Sequence, residues 1–299
     1  MARAARIYSV VLPALALGVV VKGAYALYHG GGNELAGFMS AEVTPLKIAT
    51  ILTFTGQLWT LSIGIPWDGP IWSLNYEVFY YLLFGVLTFM TGRRRTIVAI
   101  ALCVIAGPKI LVLMPCWWAG VFLARRTDLA FPSRTMAWVA VFAAPMALWL
   151  LNRSGFGDFI KRDVLWQVPG FWRLEDATNF VAYYVDTVFI AAAFMAARQL
   201  RFGATSLLMQ GAPVIQWLAG YTFSLYLFHR PFQNLLAQIT ADYGEPPMDP
   251  VLGLGLILVV VAPLGSVTEK RKEGWRRLFT ALLGQPAPAL RAVKAASPS

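Results

Sequence analysis

Long apolar runs separated by short clusters of arginine and lysine dominate this sequence, and that alternation constrains the fold more than any other feature. Hydrophobic residues make up 58% of the 299 residues and charged residues only 13%, whereas a soluble domain carries about 25% charged residues. In a bilayer every backbone polar group has to be satisfied internally, and a helix does this along one apolar segment. The pattern therefore predicts an all-α fold, a polytopic bundle of transmembrane helices.

We interpret eight of the runs as membrane crossings: residues 7–28, 72–90, 96–106, 110–124, 135–151, 179–197, 213–239 and 251–267. Two of them, 96–106 and 110–124, are short and are separated by Gly107-Pro108-Lys109, so we expect a tight helical hairpin there. A Gly-rich turn at 29–33 and a short polar stretch to Pro45 follow the first crossing. The run 46–65 is interrupted by Gly56-Gln57, which predicts a re-entrant segment that enters the membrane without crossing it.

The positive-inside rule orients these crossings. If Arg3 and Arg6 face the cytoplasm and 46–65 does not cross, the other basic clusters all fall inside: 93–95, 125–134, 198–201 and 270–277. The mixed-charge loop 152–178 then falls outside. We therefore expect a multi-pass protein of the inner or plasma membrane whose N- and C-termini both face the cytoplasm.

The net charge of +10 belongs to these same clusters. Because they mark loop ends and no RNA- or DNA-binding motif accompanies them, we assign the charge to topology and expect no nucleic-acid partner. Cys103 and Cys116 have a spacing that predicts neither a disulfide framework nor a zinc site, so no bound metal is expected. Residues 1–268 are interpreted as one membrane domain, and 269–299 as a basic cytoplasmic tail that is partly disordered.

Charged groups inside apolar runs are costly and mark cavities or partners, and one lies near the start of the run 72–90. The segment Trp72-Ser73-Leu74-Asn75-Tyr76-Glu77 places Glu77 about one turn inside a helix, with Ser73 as its expected N-cap. A capped helix start at the membrane interface explains this pattern. A carboxylate that faces a pore and orients a donor, an acceptor or a histidine explains it equally well.

In a second segment, 220–231, we expect a polar stripe formed by Thr222, Ser224, Tyr226 and His229, which is unusual on a lipid-facing helix. Tyr226 and His229 are three residues apart and share one helix face. His229 is able to act as a base or a hydrogen-bond donor near neutral pH. Alternatively, it fixes a kink before Pro231 by bonding to the carbonyl groups that the proline leaves free.

Arg3 and Arg6 precede the first apolar run. Basic residues at such a position are common cytoplasmic anchors. Arginine also binds phosphate groups through two parallel hydrogen bonds, so the pair is alternatively a cytoplasmic phosphate clamp.

Taken in order, these segments resemble the acyltransferase 3 family of membrane O-acyltransferases. An R-x-x-R-I-Y-P-like segment is matched by Arg3, Arg6, Ile7 and Tyr8, with Ser9 in place of the proline. A W-S-L-x-x-E-x-x-F-Y segment is matched by Trp72, Ser73, Leu74, Glu77 and Tyr80, with Phe79 and Tyr81 beside it. A late S-Y-x-x-Y-L-x-H-x-P segment is matched loosely by Thr222, Phe223, Tyr226, Leu227, His229 and Pro231. A closing E-K-P-like element is matched by Glu269 and Lys270, with Arg271 in place of the proline.

The resemblance implies an enzyme that moves an acyl group, usually acetyl, from cytoplasmic acyl-CoA to a hydroxyl of an extracytoplasmic glycan or glycolipid. Acyl-CoA would be a co-substrate, with no permanently bound cofactor, and Arg3 and Arg6 would hold its phosphates. The candidate catalytic residues are Glu77, Tyr226 and His229. The candidate substrate-binding residues are Trp72, Ser73 and Ser224. We expect the segments 72–81 and 220–231 to line one passage through the bilayer.

The start of the sequence departs from the family pattern. The family normally has two further spans ahead of the R-x-x-R segment, and the first of them carries the presumed catalytic histidine. Here Met1 adjoins the R-x-x-R segment, so we expect those spans to be missing from this sequence. His29 does not replace that histidine by motif, because it follows the R-x-x-R segment.

A non-enzymatic polytopic protein is the alternative, such as a transporter or an assembly partner in polysaccharide export. A transporter is expected to show internal repeats or paired broken helices. The sequence offers only the broken segment 46–65 in that respect, which favours the acyltransferase.

Overall fold

The fold is known from a computed structural model, which describes residues 2–64, 69–200, 210–242 and 250–268 and positions 274, 275, 277 and 281. These described residues contain helices and no strand, as predicted. The α-helices are α1 (Ala2–Glu42), α2 (Pro45–Leu52), α3 (Ile71–Phe89), α4 (Gly92–Arg125), α5 (Arg134–Arg153), α6 (Phe156–Phe159), α7 (Phe180–Gln199), α8 (Ala212–Ala219), α9 (Thr222–Asp242) and α10 (Pro250–Thr268). Most of the predicted tail, 269–299, lies outside the described residues.

Among the residues that the structure describes, four helical segments are long and apolar enough to cross a membrane: Ala4–Glu42, Gly92–Arg125, Arg134–Arg153 and Phe171–Gln199. Large apolar side chains such as Phe142, Met146 and Phe194 are exposed on them, as expected where lipid is the solvent. The chain is therefore a helical membrane protein. The count of eight crossings is not confirmed by these four segments.

The chain divides into two compact units. Unit 1 consists of Met1–Val43, Pro66–Pro70 and Pro213–Ser299, and unit 2 consists of Thr44–Ile65 and Ile71–Ala212. Each unit has its own packing.

In unit 1, α1 is a helix that folds back on itself. Gly31, with φ of 64° and ψ of −152°, interrupts the helix, and this conformation is accessible mainly to glycine. A Cβ on Gly23 would lie 3.4 Å from Leu35 Cδ1, although twelve residues of straight helix span about 18 Å. The limb after Gly31 therefore returns along the first. The predicted turn near Gly31 is confirmed, and the polar stretch after it is helical as far as Glu42.

Unit 1 also contains α9 and α10, which approach closely. A Cβ on Gly265 of α10 would lie 2.6 Å from Tyr221 Cδ1 and 3.1 Å from Ser224 Cβ. The sequence predicted one long helix over 213–239. The structure instead has two helices, because the chain turns at Gly220 and Tyr221 between α8 and α9.

In unit 2, α4 is a helical hairpin, as predicted. Gly107, with φ of 77° and ψ of 176°, breaks the helix. Tyr80 of α3 donates to the carbonyl of Ile110 at 2.7 Å, and Phe84 lies against Trp117 and Trp118. The limb after Gly107 thus runs parallel to α3. Because Gly92 follows the end of α3 by three residues, the limb before Gly107 has to run back in the opposite direction.

The segment after α2 closes over this break. The amide of Trp59 donates to the carbonyl of Ala106 at 3.1 Å, and a Cβ on Gly107 would lie 2.6 Å from Trp59 Cα. α2 itself has only 8 residues, or about 12 Å of helix, which is too short to cross a bilayer core of about 30 Å. The predicted topology depends on this segment not crossing.

Unit 2 has two chemically different ends. At one end Arg198 donates to the carbonyls of Leu123, Arg126 and Leu129 at 2.9, 3.1 and 2.8 Å. Ala137 of α5 packs with Ala196 there, so α5 and α7 are antiparallel. The basic residues at this arginine end are Arg93, Arg94, Arg95, Arg125, Arg126, Arg134 and Arg198.

The opposite, polar end of unit 2 holds the mixed-charge segment 152–178. That segment is not a plain loop, because it contains α6, a π-helix (Ile160–Leu165) and a 3₁₀-helix (Phe171–Asn179). The start of α3 and the break at Gly107 lie at the same end.

Replacing Gly107 with alanine is expected to destabilise the chain by about 2–4 kcal/mol, because the new Cβ meets Trp59 and the backbone angle disfavours any other residue. The measurement is the fraction of detergent-solubilised chain that stays monodisperse on size-exclusion chromatography after heating. Gly120→Ala in the same helix is the control, since nothing lies within 4 Å of a Cβ there. Equal thermal stability of the two variants would contradict the role given to the break.

Candidate functional site

The W-S-L-N-Y-E segment begins α3 in unit 2. The helix starts at Ile71, so Ser73 lies inside its first turn, and the prediction that Ser73 is the N-cap was wrong. Glu77 is the seventh residue of the helix, in the second turn, where the helix dipole has largely faded. The half-buried Glu77 carboxylate accepts a hydrogen bond from the Tyr81 hydroxyl.

The residues before Glu77 fix the segment 53–64 against α3. Asn75 Oδ1 accepts from the amide of Gly56 at 3.1 Å, and Asn75 Nδ2 donates to the carbonyls of Ile71 and Trp72 at 3.2 and 3.1 Å. The Trp72 ring packs edge-on against Tyr76, with centroids 5.2 Å apart. Asn75 therefore has a structural role that the sequence did not suggest, and Trp72 helps to enclose Tyr76.

A buried lysine lies beside this segment. No part of the Lys109 side chain is exposed. Its Nζ donates to the carbonyl of Leu61 at 2.8 Å and to Ser62 Oγ at 2.5 Å, and it lies 3.7 Å from Glu175 Oε2. Lys109 thus joins the break in α4 to the segment 53–64 and to the polar end of unit 2.

The Tyr76 hydroxyl is buried at this place and has no hydrogen-bond partner in the described part of the structure. It lies within electrostatic range of the carboxylates of Glu175 and Asp176. Glu175 has φ of 42°, outside the helical range, within the 3₁₀-helix. Buried charge and strained backbone together are typical of functional sites in membrane proteins.

Sequence reasoning treated Lys109 only as part of a turn and did not single out Asp186, which lies in α7. Each is an ionisable residue between or within apolar runs, and this feature of the sequence could have identified both as candidates. The burial of Lys109 depends on contacts with residues 48 and 66 positions away in the chain, which a local pattern does not reveal.

In unit 1, α9 carries the predicted histidine. The rings of Tyr226 and His229 lie 6.3 Å apart, which confirms that they share one face. His229 Nδ1 lies 3.0 Å from the carbonyl of Leu225. A carbonyl only accepts, so Nδ1 carries the proton in this contact, and in the neutral ring Nε2 holds the free lone pair. The carbonyl that Pro231 leaves free is that of Leu227, four residues earlier, so His229 does not bind the group that the kink hypothesis required.

Ser224 has a different environment from its neighbours. It is fully buried and faces Gly265 of α10, whereas Thr222 and Tyr226 are exposed. The four polar residues of this segment therefore do not form one stripe. The assignment of Ser224 to substrate binding stays a prediction.

The R-x-x-R segment lies beside α9 in unit 1. Arg6 is exposed, and its Cζ is 5.9 Å from the centre of the Phe223 ring. Ser9 is fully buried and donates to the carbonyl of Arg6 at 2.9 Å, which fixes the first turns of α1. Arg3 lies in α1, but its side chain is outside the described residues.

The other histidine of the chain, His29, has a carboxylate partner in unit 1. His29 Nε2 lies 3.1 Å from Asp242 Oδ1, and the Tyr25 hydroxyl donates to Asp242 Oδ2 at 2.9 Å. The ring of Tyr25 stacks on that of His29, with centroids 4.7 Å apart. This cluster connects α1, just before Gly31, to the end of α9. The sequence had set His29 aside.

The predicted site residues are therefore distributed over the two units. Trp72, Ser73 and Glu77 belong to unit 2, and Arg3, Arg6, Ser224, Tyr226 and His229 belong to unit 1. Within unit 1 the structure brings Arg6 together with the start of α9. One passage lined by both polar segments stays a prediction.

No cluster of three or more His, Cys, Asp or Glu side chains suited to a metal ion is found in the described part of the chain. In a comparison with known families, the family model described as an acyltransferase domain, of the acyltransferase 3 type, matches residues 1–268. No curated protein and no solved structure matches the chain.

Replacing Lys109 with methionine is expected to destabilise unit 2 by about 2–4 kcal/mol, because Ser62 and the Leu61 carbonyl lose a buried donor and Glu175 loses its cation. The measurement is again the loss of monodisperse chain on heating. Lys161→Met, at a lysine of the mixed-charge segment that is not fully buried, should change the stability by less than about 0.5 kcal/mol. A Lys109→Met variant as stable as the unmodified chain would show that the buried contacts contribute nothing.

Proposed function

Because the chain belongs to the acyltransferase 3 family, and is thus an acyltransferase of the membrane, we propose that it moves an acyl group, most simply acetyl, from cytoplasmic acyl-CoA to a hydroxyl of an extracytoplasmic glycan or glycolipid. The family match over residues 1–268 carries this proposal. The match does not specify the donor, the acyl group or the acceptor, and these three are therefore our proposal.

The contrast between the two ends of unit 2 supports the proposed orientation. Arginine-rich ends of membrane helices face the cytoplasm, so the arginine end is assigned to the cytoplasm and the polar end to the outside. Acyl-CoA is anionic and cytoplasmic, and glycans are assembled at the outer face. The proposed reaction therefore joins substrates that arrive from opposite sides of the membrane.

Arg6 is assigned to the donor. It is exposed at the start of α1, beside Phe223, and a guanidinium binds phosphate in bidentate fashion. Arg3 is one helical turn earlier and is assigned to the same phosphates. His229 lies six residues beyond Phe223, about 9 Å further along α9.

His229 is assigned as the base. Its Nε2 accepts the proton of the acceptor hydroxyl while the hydroxyl oxygen attacks the thioester carbonyl, the C–S bond breaks, and the proton passes to the departing CoA thiolate. The products are an O-acyl ester and CoA thiol. Tyr226, on the same face as His229, is assigned to hydrogen bonding with the reacting groups. Glu77, oriented by Tyr81, is assigned as a hydrogen-bond acceptor in the reaction, and Trp72, Ser73 and Ser224 are assigned to substrate binding.

His229→Ala is expected to lower kcat by about 10²–10⁴-fold, because the general base is lost, and Glu77→Gln by about 10–100-fold, because a charged acceptor is lost. The assay reconstitutes the full chain in liposomes with labelled acetyl-CoA and a panel of methyl hexopyranosides, and measures O-acetyl esters.

The controls for that assay are matched in residue type. Glu34→Gln removes an exposed carboxylate, and His29→Gln removes the other histidine, which is 42% exposed. If the controls and the two variants all transfer acetyl at the rate of the unmodified chain, the site assignment fails. If the unmodified chain forms no ester with any donor or acceptor, the non-enzymatic alternative is favoured.

Arg6→Ala is expected to raise KM for acetyl-CoA about tenfold or more while kcat changes little, because a charge-assisted phosphate contact is lost. The same variant should change KM less for an acetyl donor that lacks the CoA phosphates, such as acetylpantetheine. Arg162→Ala, in the mixed-charge segment, is the control. An equal effect of Arg6→Ala on both donors would contradict the phosphate contact.

A further inference from the structure

A cavity of about 150 Å³ lies at the polar end of unit 2, between the end of α5, the short helix α6 and the start of α7. Its lining includes Asn152, Phe156, Asp158, Asn179, Tyr183 and Asp186. Asn152 and Asp158 are exposed, while the others are partly buried. The cavity thus has an open mouth with Asn152 and Asp158 at its rim.

Two oxygen atoms of the lining residues, Asn179 Oδ1 and Asp186 Oδ1, are buried and have no hydrogen-bond partner among the described residues. A buried acceptor that stays unpaired costs about 1–3 kcal/mol, and more when it is charged. Asp186 also lies one turn inside an apolar helix, where an ionisable side chain usually serves a ligand or a pathway. We therefore expect a ligand in the cavity to donate hydrogen bonds to both oxygen atoms.

The lining selects the chemistry of that occupant. Two carboxylates, Asp158 and Asp186, exclude an anion. The absence of a three-residue ligand cluster in the described part of the chain disfavours a metal ion. Asn179 carries both a donor and an acceptor, which matches a hydroxyl group, since a hydroxyl also does both. Phe156 and Tyr183 offer aromatic surface for an apolar ring face.

We infer that this cavity binds one sugar unit of the acceptor, with hydroxyl groups donating to Asp186 and Asn179. This inference rests on the proposed function for the identity of the ligand as a glycan, and it names where that glycan is held. The polar end is the end assigned to the outside, where a glycan is available. Trp72 and Glu77 lie at the same end of unit 2, on α3.

A larger side chain in the wall between α6 and α7 would fill the cavity without changing its charge. A Cβ on Gly157 would lie 3.4 Å from the Cβ of Ala182, and both residues belong to the lining. Ala182→Phe is therefore expected to occupy the space intended for the ligand. Asp186→Asn keeps the shape and removes the charge, so it serves where the larger variant does not fold.

The first test measures binding alone. Full chain in a polyoxyethylene detergent, which has no sugar head group, is titrated by saturation-transfer NMR with methyl α-D-glucopyranoside, methyl α-L-rhamnopyranoside and methyl N-acetyl-β-D-glucosaminide. At least one glycoside is expected to bind, about tenfold or more weakly to Asp186→Asn and not detectably to a folded Ala182→Phe. Asp163→Asn, an exposed aspartate of the same segment, should bind as the unmodified chain does.

Two binding results would overturn the inference. One is binding of choline chloride, offered as an organic cation, with no binding of any glycoside. The other is glycoside binding that Asp186→Asn and Ala182→Phe leave unchanged, because the sugar would then be held elsewhere. Absence of any bound probe means that the cavity holds only water, and this also ends the inference.

A second test separates this inference from the proposed function. In the acetyl-transfer assay, Asp186→Asn should raise KM for the glycoside about tenfold and leave KM for acetyl-CoA unchanged. Transfer that proceeds with an unchanged glycoside KM in this variant would refute the cavity and leave the enzyme function standing. Glycoside binding at the cavity without any acetyl transfer would support the cavity as a sugar site and count against the proposed enzyme function.

Discussion

The break at Gly107 is the constraint on which the rest of unit 2 depends. A continuous helix of 34 residues would extend about 51 Å, well beyond the hydrocarbon core of about 30 Å. A backbone conformation available to glycine reverses the helix instead and frees the Ala106 carbonyl for the amide of Trp59. The reversal also positions Lys109 beneath the segment 53–64, where its Nζ donates hydrogen bonds to the Leu61 carbonyl and to Ser62 Oγ. The buried lysine and the aromatic packing of α3 thus follow from one residue.

The second organising feature is the contrast between the ends of unit 2. Arginines cluster where α4 and α7 end and α5 begins, while carboxylates, amides and the cavity cluster where α5 ends and α7 begins. The antiparallel packing of α5 and α7 produces both ends. It places the start of α5 beside the end of α7 at the arginine end, and the end of α5 beside the start of α7 at the polar end. The proposed reaction would use this contrast directly, because an anionic donor and a hydroxyl-rich acceptor would each meet the end whose charge suits it.

Much of this architecture was predictable from the sequence, and the failures have specific causes. The apolar runs located α3, α5, α7 and α10 to within a few residues, and Gly107-Pro108 predicted the hairpin because both residues oppose a regular helix. The turn at Gly220 and Tyr221 was missed, and there Tyr221 packs against Gly265, which is 44 positions away and leaves no local signal. Ser73 was misassigned because the helix begins two residues earlier. Among the site residues, the Tyr226–His229 face followed from helical periodicity, whereas the partners of Lys109 and Asp242 come from distant parts of the chain and leave no local signal.

The carbonyl contacts of Arg198 bear on how membrane sidedness is measured in this chain. Its guanidinium donates to three backbone carbonyls at and just beyond the end of α4, where a helix leaves its last carbonyls without intrahelical donors. The positive-inside rule counts Arg198 only as a cytoplasmic charge. Arg198 therefore has a second role, because it also caps the end of α4. Experiments that invert a membrane protein by deleting arginines would disturb folding and orientation together at this residue. The exposed arginines 93–95 offer a cleaner handle, because their removal changes the charge balance across the bilayer and leaves that helix end intact.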